Sequence, residues 1–199
     1  WGNGSTDTIT ETGRQQISYT YADYGDYTIK MSISEGGSWY IPDGFCQRTD
    51  GSYSLTAARI TGIRQISNSA FQYKYGLQTF TMSRDVETIG SDVFYECRAL
   101  VAMIFPDSLT SIGTGMLYYC YGLSQVVFSD SLTTIPERVC YYCYTLDAVT
   151  IPDGVTNIGH YAFYYCYALS EVSFPDSLQS IGEYAFCYCT ALREVRLPE

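Results

Sequence analysis

The feature that most constrains this chain is an internal repeat of 23 residues that runs from about residue 66 to the end. The same residue types return at each step without an insertion, and isoleucine opens every copy. Further apolar columns follow the isoleucine five, eleven, fourteen and sixteen residues later. One such unit cannot bury its apolar face alone, so the repeat predicts a solenoid of stacked coils around one continuous core. The opening isoleucines are Ile66, Ile89, Ile112, Ile135, Ile158 and Ile181.

Each unit combines a strand pattern with a turn pattern. Val172 and Phe174 alternate with polar residues, as a short strand with one buried face does. Pro175 then ends the strand because it has no N–H to donate to a ladder. Gly182 relaxes the backbone, and we expect residues 184–189 to form about one tight helical turn. The pattern therefore predicts a short strand and a tight helical turn in every coil.

These copies resemble the BspA-like leucine-rich repeat of bacterial surface proteins. The resemblance rests on stretches such as IGHYAF at 158–163 and CYAL at 166–169, and it covers about residues 41–199. A degenerate copy starts at Ile41 and ends in Leu55, Ala58 and Ile60. The resemblance implies an α/β fold, a right-handed leucine-rich-repeat solenoid. It also implies a cell-surface setting, a role in adhesion or host contact, and no catalytic residues.

The first part of the chain lacks the repeat, so we predict two parts. Residues 1–38 form a β-rich N-terminal cap, and residues 39–199 form one degenerate and six regular repeats. Segments 17–21 and 27–33 alternate as strands do, and residues 22–26 join them as a turn. This region resembles the closing half of a PKD-type β-sandwich whose leading strands are absent. We prefer a cap, because the end of a solenoid exposes apolar surface and unpaired strand edges.

Charge and hydropathy limit the classes of partner. The net charge is -10 with a pI near 4.4, which disfavours nucleic acid and anionic membrane surfaces, since both require clustered Lys and Arg. No apolar run approaches the roughly 18 residues of a membrane span, so we predict no membrane insertion. We expect a secretion signal and an anchor to lie outside this chain, since the sequence from Trp1 onward does not resemble a signal peptide.

Cysteine also forms a column, eight residues after the isoleucines. Its members should stack at the strand spacing of about 4.8 Å, which exceeds the roughly 3.5–4.5 Å between the Cβ atoms of a disulfide. We therefore predict buried free thiols that act as small apolar side chains. Cys140 and Cys143 form a C-x-x-C, but each fills its own core column, which disfavours a redox motif. A zinc site from Cys187, Cys189 and their neighbours is disfavoured as well, because their spacing comes from the stacking of copies and the chain has only one His. The column is Cys97, Cys120, Cys143, Cys166 and Cys189.

No arrangement of residues typical of catalysis is found. His160 follows a repeat glycine and is predicted at the surface, where no nucleophile column accompanies it. One aspartate per copy follows the strand, at 107, 130, 153 and 176, and is better explained as a turn residue than as a calcium ladder. We predict no enzyme activity, no cofactor and no metal.

Tyrosine columns form the first candidate ligand-binding surface. The chain has 21 tyrosines, and three columns crowd one turn, so at least one column should be exposed. Tyrosine combines a large apolar area with a polar tip, which suits binding surfaces. The alternative is that the rings pack on one another along the solenoid wall. The candidates are Tyr118, Tyr119, Tyr121, Tyr141, Tyr142, Tyr144, Tyr164, Tyr165, Tyr167 and Tyr188.

The exposed positions of the predicted strands form a second candidate surface. They are weakly polar near the middle and would suit a broad, flat partner. The sequence thus favours a binding or adhesion module for a protein or glycan of a host or neighbouring cell. The alternative is a structural spacer or assembly domain of a larger surface protein, and the oligomeric state is open. The strand candidates are Thr81, Ile104, Val127, Thr150 and Ser173.

Overall fold

A computed structural model describes residues 27–31, 39–41 and 55–198, and it consists of short strands that pair in parallel. Each of the four copies that open at Ile89, Ile112, Ile135 and Ile158 contributes a two-residue strand and a three-residue strand. The strands are β1 (Tyr27–Met31), β2 (Trp39–Ile41), β3 (Leu55–Ile60), β4 (Ile63–Ile66), β5 (Thr79–Met82), β6 (Thr88–Ile89), β7 (Ala102–Ile104), β8 (Ser111–Ile112), β9 (Gln125–Val127), β10 (Thr134–Ile135), β11 (Ala148–Thr150), β12 (Asn157–Ile158), β13 (Glu171–Ser173) and β14 (Ser180–Ile181).

The strand register confirms that equivalent residues lie above one another. In the longer strands Met103 pairs with Val126, one repeat apart. In the short strands Ile89 pairs with Ile112, also one repeat apart. The fold is therefore a parallel β-solenoid whose coils repeat at the period of the sequence.

The degenerate first copy is part of the same stack. Ile41 pairs with Ile66 through β2 and β4, and Ala58 pairs with Phe80 through β3 and β5. Strand β1 lies within the predicted segment 27–33 and pairs in parallel with β3. The predicted strand 17–21 and most of the PKD-like segment lie outside the described residues. The boundary near residue 38 and the handedness of the coil remain predictions.

The predicted α/β class is wrong for the described residues, because none of them is in a helix. The turn that we expected to be helical has positive φ at two positions four residues apart, 54° at Arg138 and 63° at Tyr142 in one coil. Positive φ interrupts a right-handed helix. The turn amides instead donate to the next coil, as Leu117 does to the carbonyl of Val139 at 2.9 Å. Turns and strands alike are thus held by bonds between coils.

The core runs through the stack without interruption. Its central column is leucine, and every described member but the last is fully buried. Burying one such side chain contributes about 1.5–3 kcal/mol, so the inward columns are the main source of stability. The buried members are Leu77, Leu100, Leu123, Leu146 and Leu169.

Coils approach closely at the residue after the repeat isoleucine. A Cβ on Gly113 would lie 2.4 Å from the backbone carbon of Gly90 in the preceding coil. Gly113 also donates its N–H to the carbonyl of Ile89 at 2.8 Å. Pro136 occupies the same position one coil later and has no N–H to donate. The short strands accordingly fall into two sheets, with the break between β8 and β10.

Candidate binding surfaces

Three files of aromatic residues run along one side of the solenoid, on the turn that follows the short strands. The rings of each file stack on their own copies in adjacent coils. In the first file, the centroids of Tyr118 and Tyr141 are 4.5 Å apart with the planes 18° apart. In the second, those of Tyr142 and Tyr165 are 4.6 Å apart. We call these three files together the tyrosine wall. The first file is Tyr95, Tyr118, Tyr141 and Tyr164; the second is Tyr119, Tyr142, Tyr165 and Tyr188; the third contains Tyr121, Tyr144 and Tyr167.

Neighbouring files contact each other edge to face. The ring centroids of Tyr118 and Tyr119 lie 4.4 Å apart with the planes at 76°. Tyr142 meets Tyr144 of the third file at 5.7 Å, also in a T-shaped arrangement. Offset stacking and T-shaped contacts are the two favoured geometries for aromatic pairs. The wall is therefore one continuous lattice of rings, and the ring packing that we weighed as an alternative is present.

All three files lie at the surface, and most of their side chains are half-buried. Tyr167 and Tyr188 are the most exposed tyrosines of the wall, at 41% and 49%. Stacking in adjacent coils covers part of each ring face. We expected at least one exposed column, and each of the three files is partly exposed.

The phenol groups of the wall differ between files. Desolvation, followed by a hydrogen bond with Tyr119, raises the pKa of Tyr118 well above its ordinary range. Desolvation, followed by the charge of Tyr141, raises the pKa of Tyr142 to about 12. In the third file, desolvation and the charge of Tyr121 raise the pKa of Tyr144. Hydroxyl groups of the first and second files thus form hydrogen bonds with each other, whereas the pKa of Tyr144 in the third file is raised by desolvation and by neighbouring charges.

An arginine continues the third file, which the sequence reading missed. The guanidinium carbon of Arg98 lies 4.8 Å from the ring centroid of Tyr75 and 5.6 Å from that of Tyr121. Arg98 also pairs with Glu96 at 2.5 Å. Arg98 stands in the tyrosine column in its own copy, and that substitution was the signal for a cation–π contact.

The strand face is exposed as predicted. Thr81, Ile104, Val127, Thr150 and Ser173 all point to solvent, and Ile104 and Val127 are 60% and 42% exposed. Our reading missed Val101, which precedes β7 and is 51% exposed. Ala102, the first residue of β7, is half-buried. The centre of the face is therefore apolar, and the weakly polar middle that the sequence predicted is wrong.

The cysteine column is buried and its thiols are free. Each thiol also donates a hydrogen bond to a carbonyl of the preceding coil, as Cys120 does to Phe94 and Cys143 to Leu117, at 3.2 and 3.3 Å. Burial raises the pKa of Cys97 to about 12 and that of Cys120 well above the usual value. The column is thus a ladder of donors as well as apolar side chains, and its thiols are poor nucleophiles.

The remaining chemical candidates lie apart from one another. His160 is exposed, as expected, and its Nδ1 accepts the N–H of Glu183 at 2.9 Å. The aspartates at 107, 130, 153 and 176 are all exposed. Within residues 27–31, 39–41 and 55–198, no three His, Cys, Asp or Glu side chains converge as metal ligands would. The same residues include no helix long and apolar enough to cross a membrane.

Comparison with known proteins gives a family match. Residues 64–193 match the BspA type leucine rich repeat region in six copies. Six is the number of regular repeats that the sequence predicts. None of the curated proteins matches this chain.

Solved bacterial leucine-rich repeat structures are similar to this chain. A leucine-rich repeat protein from Eubacterium ventriosum is 28% identical with a TM-score of 0.68, over 75% of this chain and 41% of that one. A leucine rich cell surface protein from Faecalibacterium prausnitzii is 25% identical with a TM-score of 0.58, over 83% of this chain and 58% of that one. The chain thus spans less than two thirds of either protein. A leucine-rich repeat protein from T. pallidum, 24% identical with a TM-score of 0.67, covers 93% of this chain and 92% of its own length and supports the fold.

Proposed function

This chain belongs to the BspA-type leucine-rich repeat family, and we propose that it is a non-catalytic binding or adhesion module on the outside of a bacterial cell. The family is one of repeat proteins not known for catalysis. The similar protein from Faecalibacterium prausnitzii is described as a cell surface protein, which supports an extracellular or surface location here. The partner is a protein or glycan of a host or neighbouring cell.

The observation that carries the proposal is the third file of the tyrosine wall. The rings of Tyr121 and Tyr144 stack at 4.9 Å, and those of Tyr144 and Tyr167 at 5.2 Å. Stacking fixes the side chains before any partner arrives, so little rotamer entropy remains to be lost on binding. Each hydroxyl group can donate and accept a hydrogen bond. The file therefore offers a pre-ordered row of hydroxyl groups at the spacing of the coils.

The strand face supplies a second part of the proposed surface. Ile104 and Val127 expose β-branched side chains on neighbouring strands, and the exposed Val101 directly precedes the first of these strands. Contiguous exposed apolar groups often mark interaction sites. We assign the strand face to apolar contact and the third file to hydrogen bonding.

Labelled protein on printed arrays of glycans and of purified extracellular proteins tests the proposal. We expect binding above background to at least one class. Replacing three tyrosines by phenylalanine, Tyr121→Phe, Tyr144→Phe and Tyr167→Phe, keeps the rings and should weaken that binding about tenfold or more, because hydrogen bonds at a partner are worth about 0.5–1.5 kcal/mol each.

The matched control makes the same change in the first file, at Tyr118, Tyr141 and Tyr164. Within the first file, the hydroxyl group of Tyr118 is hydrogen-bonded with Tyr119 of the wall itself. We expect the control to retain binding. Equal binding by wild type and both triple variants would remove the third file from the proposal, and no binding on any array would count against a binding function.

A structural spacer is the second candidate, and the ring packing itself favours it. The contacts within and between files stiffen the solenoid whether or not a partner exists. A spacer predicts that the third-file variant changes nothing on the arrays. The array comparison thus separates the two candidates.

A further inference from the structure

Two cysteines of one coil lie within a single turn of the core. Cys143 donates its N–H to the carbonyl of Cys140 at 3.3 Å, which closes a four-residue turn. Both side chains are fully buried, so both point into the core. Such turns hold the end Cα atoms within about 7 Å, and a disulfide spans Cα atoms about 4.4–6.8 Å apart.

Other thiols are less well placed for pairing. Cys120 is in the same column as Cys143 but in the preceding coil, and the coil spacing of about 4.8 Å exceeds the roughly 3.5–4.5 Å between the Cβ atoms of a disulfide. Cys187 and Cys189 are close in sequence, but Cys187 is half-buried in the column of the first tyrosine file, whereas Cys189 lies in the core column. Among the described turns, the position of Cys140 is otherwise held by Phe or Leu, at Phe71, Phe94, Leu117, Phe163 and Phe186.

We propose that Cys140 and Cys143 form a disulfide when the chain folds in an oxidising compartment. The pair is then a modification site inside the core, independent of whether the surface binds a partner. The same coil holds Pro136, where the ladder of short strands is interrupted between β8 and β10. A disulfide would fix the turn of the coil that lacks this ladder bond.

The two thiols are oxidised while the chain is still unfolded. Burial raises the pKa of both thiols in the folded protein, and the thiolate is the attacking species. With glutathione disulfide as oxidant, one cysteine thiolate attacks a glutathione sulfur, forms a mixed disulfide and releases one glutathione thiolate. The second cysteine thiolate then attacks the mixed disulfide and releases the other. Two protein thiols are oxidised and one glutathione disulfide is reduced to two glutathiones.

Refolding in a glutathione redox buffer tests the proposal. The full 199-residue chain, which has 8 cysteines, is unfolded and reduced, and then diluted into reduced and oxidised glutathione. The monomer is isolated at acid pH, alkylated in denaturant and mapped by mass spectrometry after proteolysis. We expect a Cys140–Cys143 link as the main product, with the other cysteines alkylated.

The variants Cys140→Ser and Cys143→Ser should each leave all remaining thiols alkylated after the same treatment. Cys120→Ser is the matched control, because it removes a core thiol outside the pair, and it should retain the link. Alkylation of every cysteine in the wild type, or a main link between any other two cysteines, would overturn the proposal. These readouts need no stable variant, because the wild-type map alone decides between the outcomes.

Discussion

The tyrosine wall and the strand face are both exposed, and both repeat with the same period, yet they are ordered by different contacts. On the strand face the backbone makes the contacts between coils, and the outward side chains vary freely, as Thr81, Ile104 and Thr150 do. On the wall each side chain meets its own copy, as Tyr118 meets Tyr141 at 4.5 Å. A residue type is thus repeated at the surface of this solenoid where it packs on itself, and it varies where it meets only water.

The largest loss of stability is expected from a change that disturbs the distance between coils, on which both surfaces depend. Replacing Gly113 by Ala places a Cβ 2.4 Å from the backbone of Gly90, and neither backbone can move aside cheaply. We expect a loss of about 3 kcal/mol in the free energy of unfolding, at the upper end of overpacking costs. Urea unfolding measures it, with Thr114→Ala at the neighbouring exposed position as the control. Unchanged stability in Gly113→Ala would mean that the coils are not as closely stacked as described.

Removing one ring of the tyrosine wall should cost more stability than a matched change on the strand face. Tyr141→Ala deletes contacts with Tyr118, Tyr142 and Tyr164, at 4.5, 4.7 and 4.9 Å. Aromatic pairs contribute about 0.5–1.5 kcal/mol each beyond burial, so we expect a loss of about 2 kcal/mol.

The matched change on the strand face is Val127→Ala. Val127 is 42% exposed, and surface substitutions of this kind usually stay within about 0.5 kcal/mol. Equal losses of unfolding free energy in Tyr141→Ala and Val127→Ala, measured by urea unfolding, would contradict the difference that we infer between the two surfaces.

Alkaline pH should ionise the phenols of the tyrosine wall and thereby lower the free energy of unfolding. The centre of the strand face has no charged group that would titrate in this range. Burial, with the charge of Tyr141, raises the pKa of Tyr142 to about 12, above the roughly 10 of an unfolded tyrosine. The folded state therefore favours the neutral phenol. Its contribution to stability is complete below about pH 10 and is lost as the pH rises through about 12.

Phenolate absorbance measures this titration. In the folded protein we expect a group of tyrosines that ionises later than the same tyrosines in denaturant, together with a falling free energy of unfolding over that pH range. Superimposable titrations of folded and denatured protein would show that the wall does not shield its phenols.

The sequence predicted most of the fold because a repeat without insertions turns sequence distance into spatial register. The isoleucine, leucine and valine columns, the stacked cysteines and the exposed strand residues could all be placed from the 23-residue period alone. The turn could not, because turn residues with positive φ are usually Gly or Asn, and here they are mostly tyrosines such as Tyr119, Tyr142 and Tyr165. Bonds to the next coil stabilise that backbone, and a pattern read within one copy does not reveal them.

The candidate surfaces were predicted in part. Columns identified which tyrosines lie together, but whether a file faces inward or outward depends on the turn geometry. Arg98 and Val101 were missed because each departs from its column, and only neighbouring coils explain what they contact. The thiol-to-carbonyl bonds were missed for the same reason, since donor and acceptor are separated by 26 residues.

The most direct test of the account is a double-mutant cycle on Tyr118→Ala and Tyr141→Ala, because its central claim is that copies in adjacent coils stabilise one another. Their rings stack at 4.5 Å, and we predict a coupling of about 0.5–1.5 kcal/mol in the free energy of unfolding. Ile104→Ala with Val127→Ala, paired in register on the strand face, should couple less. A coupling between Tyr118 and Tyr141 that is indistinguishable from zero would contradict the account.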